Sequence, residues 1–157
     1  MAAKWTMATA LFDPRRRVSD RHAALVHHEL VTLRAALNEV PFGVVLLDHE
    51  LRAQFINRAF RRMWRLPDGK ADSKPAFVAL MYHGRDTRAY DVPADQVDAY
   101  VAERVAYVKS GNPAPVDICL TSGEMIRLQC AMLPAGGRML SYTYVTQESV
   151  TQERADT

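Results

Sequence analysis

The hydrophobic positions follow a helical period, then an alternating one, and then repeat both. From Ser19 or Asp20, either able to cap a helix, the chain runs to Val40 without Gly or Pro. Along it Ala23, Val26, Leu30, Leu33, Leu37 and Val40 recur at spacings of three, four, three, four and three. That is a heptad seam of nearly three repeats. It can close on the same helix of a second chain as a short coiled coil, or lie against the chain's own sheet. The period close to 3.5 favours the second chain.

The next pattern is short and extended. An apolar run from Gly43 to Leu47 stops at Asp48, a polar turn follows, and Arg52 to Ile56 reads as a second strand. Asn57 then has the chemistry of a helix N-cap. Behind it Ala59, Phe60, Met63 and Trp64 share one face, and Arg58, Arg61, Arg62 and Arg65 the other, with Pro67 ending the helix. That arginine face reads as solvated, or as a contact for an anionic partner. Between Pro67 and Pro93 the period is lost: a polar loop DGKADSK, a short helix around Phe77 to Tyr82, then irregular HGRDTRAYD.

After Pro93 a helix carries Val97, Tyr100, Val101, Val105 and Val108 on one face as far as Lys109, and Gly111 supplies a left-handed C-cap. The final third alternates. Val116, Ile118 and Leu120 make one strand, Ser122-Gly123 turns it, Ile126, Leu128, Cys130 and Met132 mark the next, and Ala135-Gly136-Gly137 leads into the last, MLSYTYVT. The expected fold is therefore α+β: five antiparallel strands with helices on one face. The first strand is apolar on both sides, so the N-terminal helix is expected to flank the other face.

Pro41, Gly43, Asp48 and Asn57, in that order, resemble the opening of a PAS domain. The later helix, the strand, Ser122-Gly123 and the two strands after it are similar to the PAS subgroup of bacterial sensor histidine kinases and diguanylate cyclases. The resemblance covers roughly residues 35 to 147. Residues 1–18, with no sustained period, a Pro and a triple arginine, read as a flexible leader, and the polar 148–157 as a tail. The resemblance implies a dimerisation helix over 19–40 and the PAS domain over 41–147. It also implies a non-catalytic sensory module that forms a homodimer and signals to a kinase- or cyclase-type effector. The alternative is a sensor of a small ligand or of a cofactor such as haem or flavin. In this family the space between helices and sheet holds ligands, and here Phe60, Met63, Trp64, Phe77, Leu80, Met81, Tyr100 and Val101 would line it, as plain core or as the wall of a hollow.

The cofactor chemistry divides residue by residue. Haem-binding members use a histidine on the long helix, where this chain has Tyr100 and Tyr107 instead; His83 is the one histidine near the expected wall. Flavin members with a reactive cysteine carry it beside the asparagine of the first helix, where this chain reads Asn57-Arg58-Ala59-Phe60. Many members end the last strand in Asp-x-Thr. This chain has Tyr144-Val145-Thr146, so the ionic contact of that aspartate has no counterpart here.

Composition narrows the rest. At 157 residues the chain suits one domain. Lys plus Arg exceed Asp plus Glu by 20 − 18 = 2, which does not fit a dedicated nucleic-acid binder, although Arg15 to Arg17 form a local cluster. No apolar run approaches the ~18 residues of a membrane span. Cys119 and Cys130 stand outside any C-x-x-C spacing and read as buried or half-buried thiols of a cytoplasmic protein. His22, His27 and His28 lie off the seam as solvated residues. No phosphate loop, nucleophile motif or metal motif is present, and Asp48, Asp91, Asp98 and Glu103 read as exposed carboxylates.

Overall fold

The computed structural model describes residues 14–146, so the first thirteen residues of the expected leader and the tail 148–157 lie outside the described residues. The chain divides after Ala36 into two units.

The first unit is most of helix α1 (Pro14–Glu39). Proline is tolerated in the first turn of a helix, where its missing N–H has no intrahelical acceptor to lose. The described helix thus includes Arg15 to Arg17, before Ser19 and Asp20 and within the stretch expected as leader. It buries none of its residues.

The second unit holds the sheet: β1 (Gly43–Leu47), β2 (Ala53–Ile56), β3 (Val116–Cys119), β4 (Met125–Met132) and β5 (Arg138–Tyr144). Their order is β2-β1-β5-β4-β3, and every pairing is antiparallel. Alternation decides the faces. Ile126, Leu128 and Cys130 of β4 and Leu140 and Tyr142 of β5 turn into one core with Val45, Leu47, Ile118 and Leu120. Met132, expected on the same face, is 54% exposed instead.

Helices α2 (Arg58–Met63), α3 (Asp68–Asp72), α4 (Phe77–Asp86) and α5 (Val97–Ser110) contribute the other half of that core through Phe60, Trp64, Ala71, Phe77, Leu80, Met81, Val97, Val101 and Val108. The expected DGKADSK loop contains α3, and α4 runs through His83 to Asp86. α2 is shorter than expected. It stops at Met63, and Arg65 takes φ of +50° before Pro67 is reached. Arg61 also leaves the solvated face assigned to it: its guanidinium bridges Asp68 (3.0 Å) and Asp72 (2.8 Å) and donates to Ile56 O. This fork fastens α3 to α2.

Two polar residues set the geometry of the sheet ends. Asp48 accepts from the amides of Glu50 (2.9 Å) and Arg52 (3.0 Å) and from Gln54 Nε2 (2.8 Å), closing the β1–β2 turn. These hydrogen bonds, that of the Arg52 amide first, hold its carboxyl below the usual carboxylate range. Arg138 is buried and donates to Val108 O (3.0 Å), Lys109 O (2.8 Å) and Gly136 O. It thereby satisfies carbonyls at the C-terminal end of α5, where the helix dipole favours a cation. Gly111 follows with φ of +67°, as its position after α5 requires.

Candidate functional site

The six seam residues do not share one environment. Ala23 is exposed, as are Val26 (43%), Leu30 (52%) and Leu33 (54%), whereas Leu37 and Val40 are half-buried. The exposed part is thus an apolar stripe along three turns of α1.

In the second unit a narrow space lies between helices and sheet. Its wall comprises Phe60 from α2 and Trp64 at its C-cap, Phe77, Leu80 and Met81 from α4, Tyr90 from the segment after α4, Arg104 from α5, and Ile118, Leu128 and Tyr142 from the strands. Helical spacing accounts for Phe60 with Trp64 and for Phe77 with Leu80 and Met81; strand alternation accounts for Ile118, Leu128 and Tyr142. The space measures about 10 Å³, which is at the lower limit for a single water. The apolar residues therefore meet as packed core.

Five of the eight residues expected at this wall are there: Phe60, Trp64, Phe77, Leu80 and Met81. Val101 is buried nearby in the same core, and Met63 and Tyr100 are half-buried against it. Tyr90, Arg104, Ile118, Leu128 and Tyr142 complete the wall without having been expected there. The helical spacing of α5 held a signal for Arg104, which falls between Val101 and Val108 at intervals of three and four. Val105 satisfies a similar spacing and is apolar, which drew the stripe one residue too far.

The wall is aromatic and carries one cation. Trp64 lies 5.5 Å from Tyr90 and 6.0 Å from Tyr142 between ring centroids, Phe60 lies 5.0 Å from Tyr142, and Tyr90 5.2 Å from Tyr100. The Arg104 guanidinium sits 5.2 Å from the Tyr100 ring and 5.9 Å from that of Tyr107. None of the ion pairs found among the described residues includes it. Arg104 Nε and Trp64 Nε1 are buried without a hydrogen-bond partner among the described residues. Burial pushes the phenols of Tyr90 and Tyr142 up, against the opposing pull of the Arg104 charge.

The other candidate groups have structural partners. His83 belongs to α4, lines an outer groove and not the core space, and its Nε2 donates to Trp64 O (3.2 Å) and Arg65 O (3.3 Å), which fixes the proton on that nitrogen. Asp98 accepts from Tyr82 Oη at 3.0 Å. Cys130 is buried, but Cys119 is exposed on β3, contrary to the expectation of two buried or half-buried thiols. Among the described residues no helix is long and apolar enough to cross a membrane.

A family model described as PAS fold matches residues 37–153. No curated protein matches the sequence. Among solved structures, the chain is similar to one in the Escherichia coli DhaR(N)-DhaL complex at 19% identity, over 82% of this chain and 40% of that one, with a TM-score of 0.50. A domain of a sensory box sensor histidine kinase/response regulator from Geobacter sulfurreducens matches at 16% identity over 74% of this chain and 95% of that one, TM-score 0.48. The PAS domain of an HTR-like protein from Haloarcula marismortui matches at 10% identity over 80% and 99%, TM-score 0.49.

Proposed function

This chain belongs to the PAS family, and we propose that it is a non-catalytic sensory and regulatory module of cytoplasmic signal transduction. It pairs with a second copy through α1 and passes a conformational bias to a kinase- or cyclase-type effector. The observation that carries this reading is the stripe of Ala23, Val26, Leu30 and Leu33, exposed on a single chain at a near-3.5 period.

Charge placement supports a parallel pairing. With the seam as positions a and d, Arg15, His22 and Glu29 fall at g, and Asp20, His27 and Arg34 at e. In a parallel, in-register coil each g residue meets the e residue five further along the second chain. Arg15 then faces Asp20, and Glu29 faces Arg34, opposite charges in both cases.

A signal moves such a dimer between arrangements only by its differential affinity for them. Sedimentation over a dilution series is the test. The native chain is expected to associate, and Leu33→Glu to prevent association while the circular dichroism of the sheet persists. Monomer at every concentration in the native chain, or association unaffected by Leu33→Glu, refutes pairing through α1. The reading of a small-ligand sensor is favoured by a different observation, the unpartnered donors of the core.

A further inference from the structure

The arginine face of α2 has no part in the pairing of α1. Arg62 and Arg65, at the end of that helix, line an outer cleft of about 320 Å³ with Arg88 from the segment after α4, Glu124 from the β3–β4 turn, Met63 and Tyr144. The three arginines are exposed, and none of the ion pairs found among the described residues includes them. The hydroxyls of the cleft are taken within the chain. Thr87 Oγ1 donates to His83 O (3.0 Å), Thr121 Oγ1 to Arg88 O (2.6 Å) and Ser122 Oγ to Glu124 Oε2 (3.0 Å). Three guanidiniums remain as donors, and Glu124, the carboxylate that lines the cleft, pairs with none of them.

Two of the three stand on left-handed backbone, Arg65 at φ of +50° and Arg88 at +54°. Gly or Asn adopts that conformation more easily, so folding alone gives no reason for arginine at either place. Strain of this kind gathers at functional sites. A second recess of about 450 Å³ shares Arg62 and Arg65 and adds Arg58. Arg58 bridges the exposed Glu39 at 3.3 Å, a surface pair of little strength that a stronger partner can displace. Arg58, Arg62 and Arg65 recur at intervals of four and three, so the cations form a row across both recesses and not a single point.

We propose that this surface receives an acidic segment of a protein partner, its carboxylates held by Arg62, Arg65 and Arg88 and its apolar side chains packed against Met63 and Tyr144. A row of guanidinium forks matches carboxylates spaced along a chain. Arg, Tyr and Met are enriched where proteins meet, and Tyr144 is 47% exposed. Glu124 and Asp68 at the two recesses would repel the continuous charge of a nucleic acid or an anionic membrane, and an excess of 20 − 18 = 2 positive charges gives little long-range attraction for either. The assignment deepens the sensory reading above and rests on it for the effector that carries the acidic segment. Tyr144 ends β5 and Thr121 follows β3, so a partner seated here touches the ends of two strands and biases the domain by its differential affinity for their arrangements.

The test is fluorescence anisotropy on the full chain with a labelled peptide repeating Glu-Leu-Asp-Ser, against Gln-Leu-Asn-Ser as neutral control, with oligothymidylate and phosphatidylserine vesicles as the competing anions. The acidic peptide is expected to bind at least tenfold tighter than the neutral one and to weaken as salt is raised. Joining Arg62→Gln, Arg65→Asn and Arg88→Asn should cost at least tenfold in that affinity. The melting temperature of this variant should stay at or above that of the native chain, because Asn suits the backbone at 65 and 88. If it does not fold, Arg62→Gln alone, at an exposed and unpaired position, carries the comparison with a several-fold loss. Arg85→Gln, on α4 outside the cleft, should leave the affinity unchanged. No binding of the acidic peptide, equal binding of the neutral one, undiminished binding by the folded variant, an equal loss from Arg85→Gln, or tighter binding of the oligonucleotide or the vesicles each overturns the assignment. Sedimentation of the same samples keeps the two readings apart. Dimer without peptide binding removes this surface alone, and peptide binding by a monomer removes the pairing alone.

Discussion

Asn57 and Val44 bond each other twice: the Asn57 amide donates to Val44 O at 3.0 Å, and the Val44 amide donates to Asn57 Oδ1 at 2.8 Å. The same Oδ1 accepts from the Phe60 amide at 3.0 Å, while Nδ2 donates to Leu37 O and Phe42 O, each at 2.9 Å. The side chain is fully buried. One amide group therefore caps α2, pins β1, and ties down the segment that leads into β1.

Removing that amide strands two buried donors and two carbonyls. At roughly 1 kcal/mol or more for each group left without a partner, Asn57→Ala should destabilise the domain by about 3–5 kcal/mol. Asn57→Asp keeps the accepted bonds, loses the donated ones and buries an anion, so it should also be destabilising. Urea denaturation measures both. A midpoint change equivalent to less than about 1 kcal/mol for Asn57→Ala would show that the network is dispensable.

Gly84 makes a packing prediction. A Cβ there would stand 2.4 Å from Tyr90 Cζ, far inside contact distance. Alanine is the better helix former by about 1 kcal/mol, so propensity alone predicts that Gly84→Ala stabilises α4. Overpacking against a ring held by Trp64 and Tyr100 outweighs this, and a net loss of about 1–2 kcal/mol is expected. In a double-mutant cycle, Tyr90→Ala should recover most of the loss caused by Gly84→Ala; additive losses would place the strain elsewhere.

These two residues also mark what a sequence makes legible. Asn57 was readable as a cap because capping is local, and the β3–β5 meander was readable because alternation and turn chemistry are local too. Its bonds to Leu37 and Phe42 were not readable, since they depend on where the chain returns in space. The same limit explains α2, whose end is set by Arg61 reaching Asp68 and Asp72 and by the left-handed Arg65, not by Pro67. At the wall, apolar members on periodic elements were found, while Arg104 was missed because a cation on a core-facing stripe contradicts the rule that locates cores. Whether the space is filled is a matter of packing at the scale of one methyl group, which residue identity alone does not convey.

Arg138 lies outside every hydrophobic pattern, yet it is predicted to matter. Its fork holds Val108 O and Lys109 O and joins the end of α5 to the loop before β5. Arg138→Met preserves bulk and removes the bonds, with an expected cost of about 2–4 kcal/mol from charge-assisted bonds to carbonyls. Amide exchange should quicken most in the last turn of α5. Uniform exchange changes across the domain would count against a capping role.

The direction of pairing is open to a charge swap. Glu29→Arg places like charges opposite each other in a parallel coil and should weaken association several-fold at low salt; Arg34→Glu should do the same. Joining both changes in one chain restores opposite charges and should recover the native dissociation constant. Sedimentation at two salt concentrations checks this. A double variant as weak as the single ones would exclude the parallel register.

Alkaline pH is expected to act through the aromatic core. Burial raises the phenol of Tyr142 well above its ordinary value, and burial followed by the neighbouring Tyr100 raises that of Tyr90. Below the unfolded value of about 10 both states keep these protons, so their contribution to stability is fully present. Above it the unfolded chain releases them while the folded chain retains them. Stability should then fall by about 1.4 kcal/mol per pH unit for each tyrosine until the folded values are reached. Urea midpoints should hold up to about pH 10 and then decline towards that slope by about pH 11, and Tyr142→Phe should flatten the decline. The folded protein should meanwhile show less tyrosinate absorbance than its six tyrosines would give if free. Full ionisation of all six with an unchanged urea midpoint would mean that water reaches the ring cluster, and that the space beside Arg104 is open.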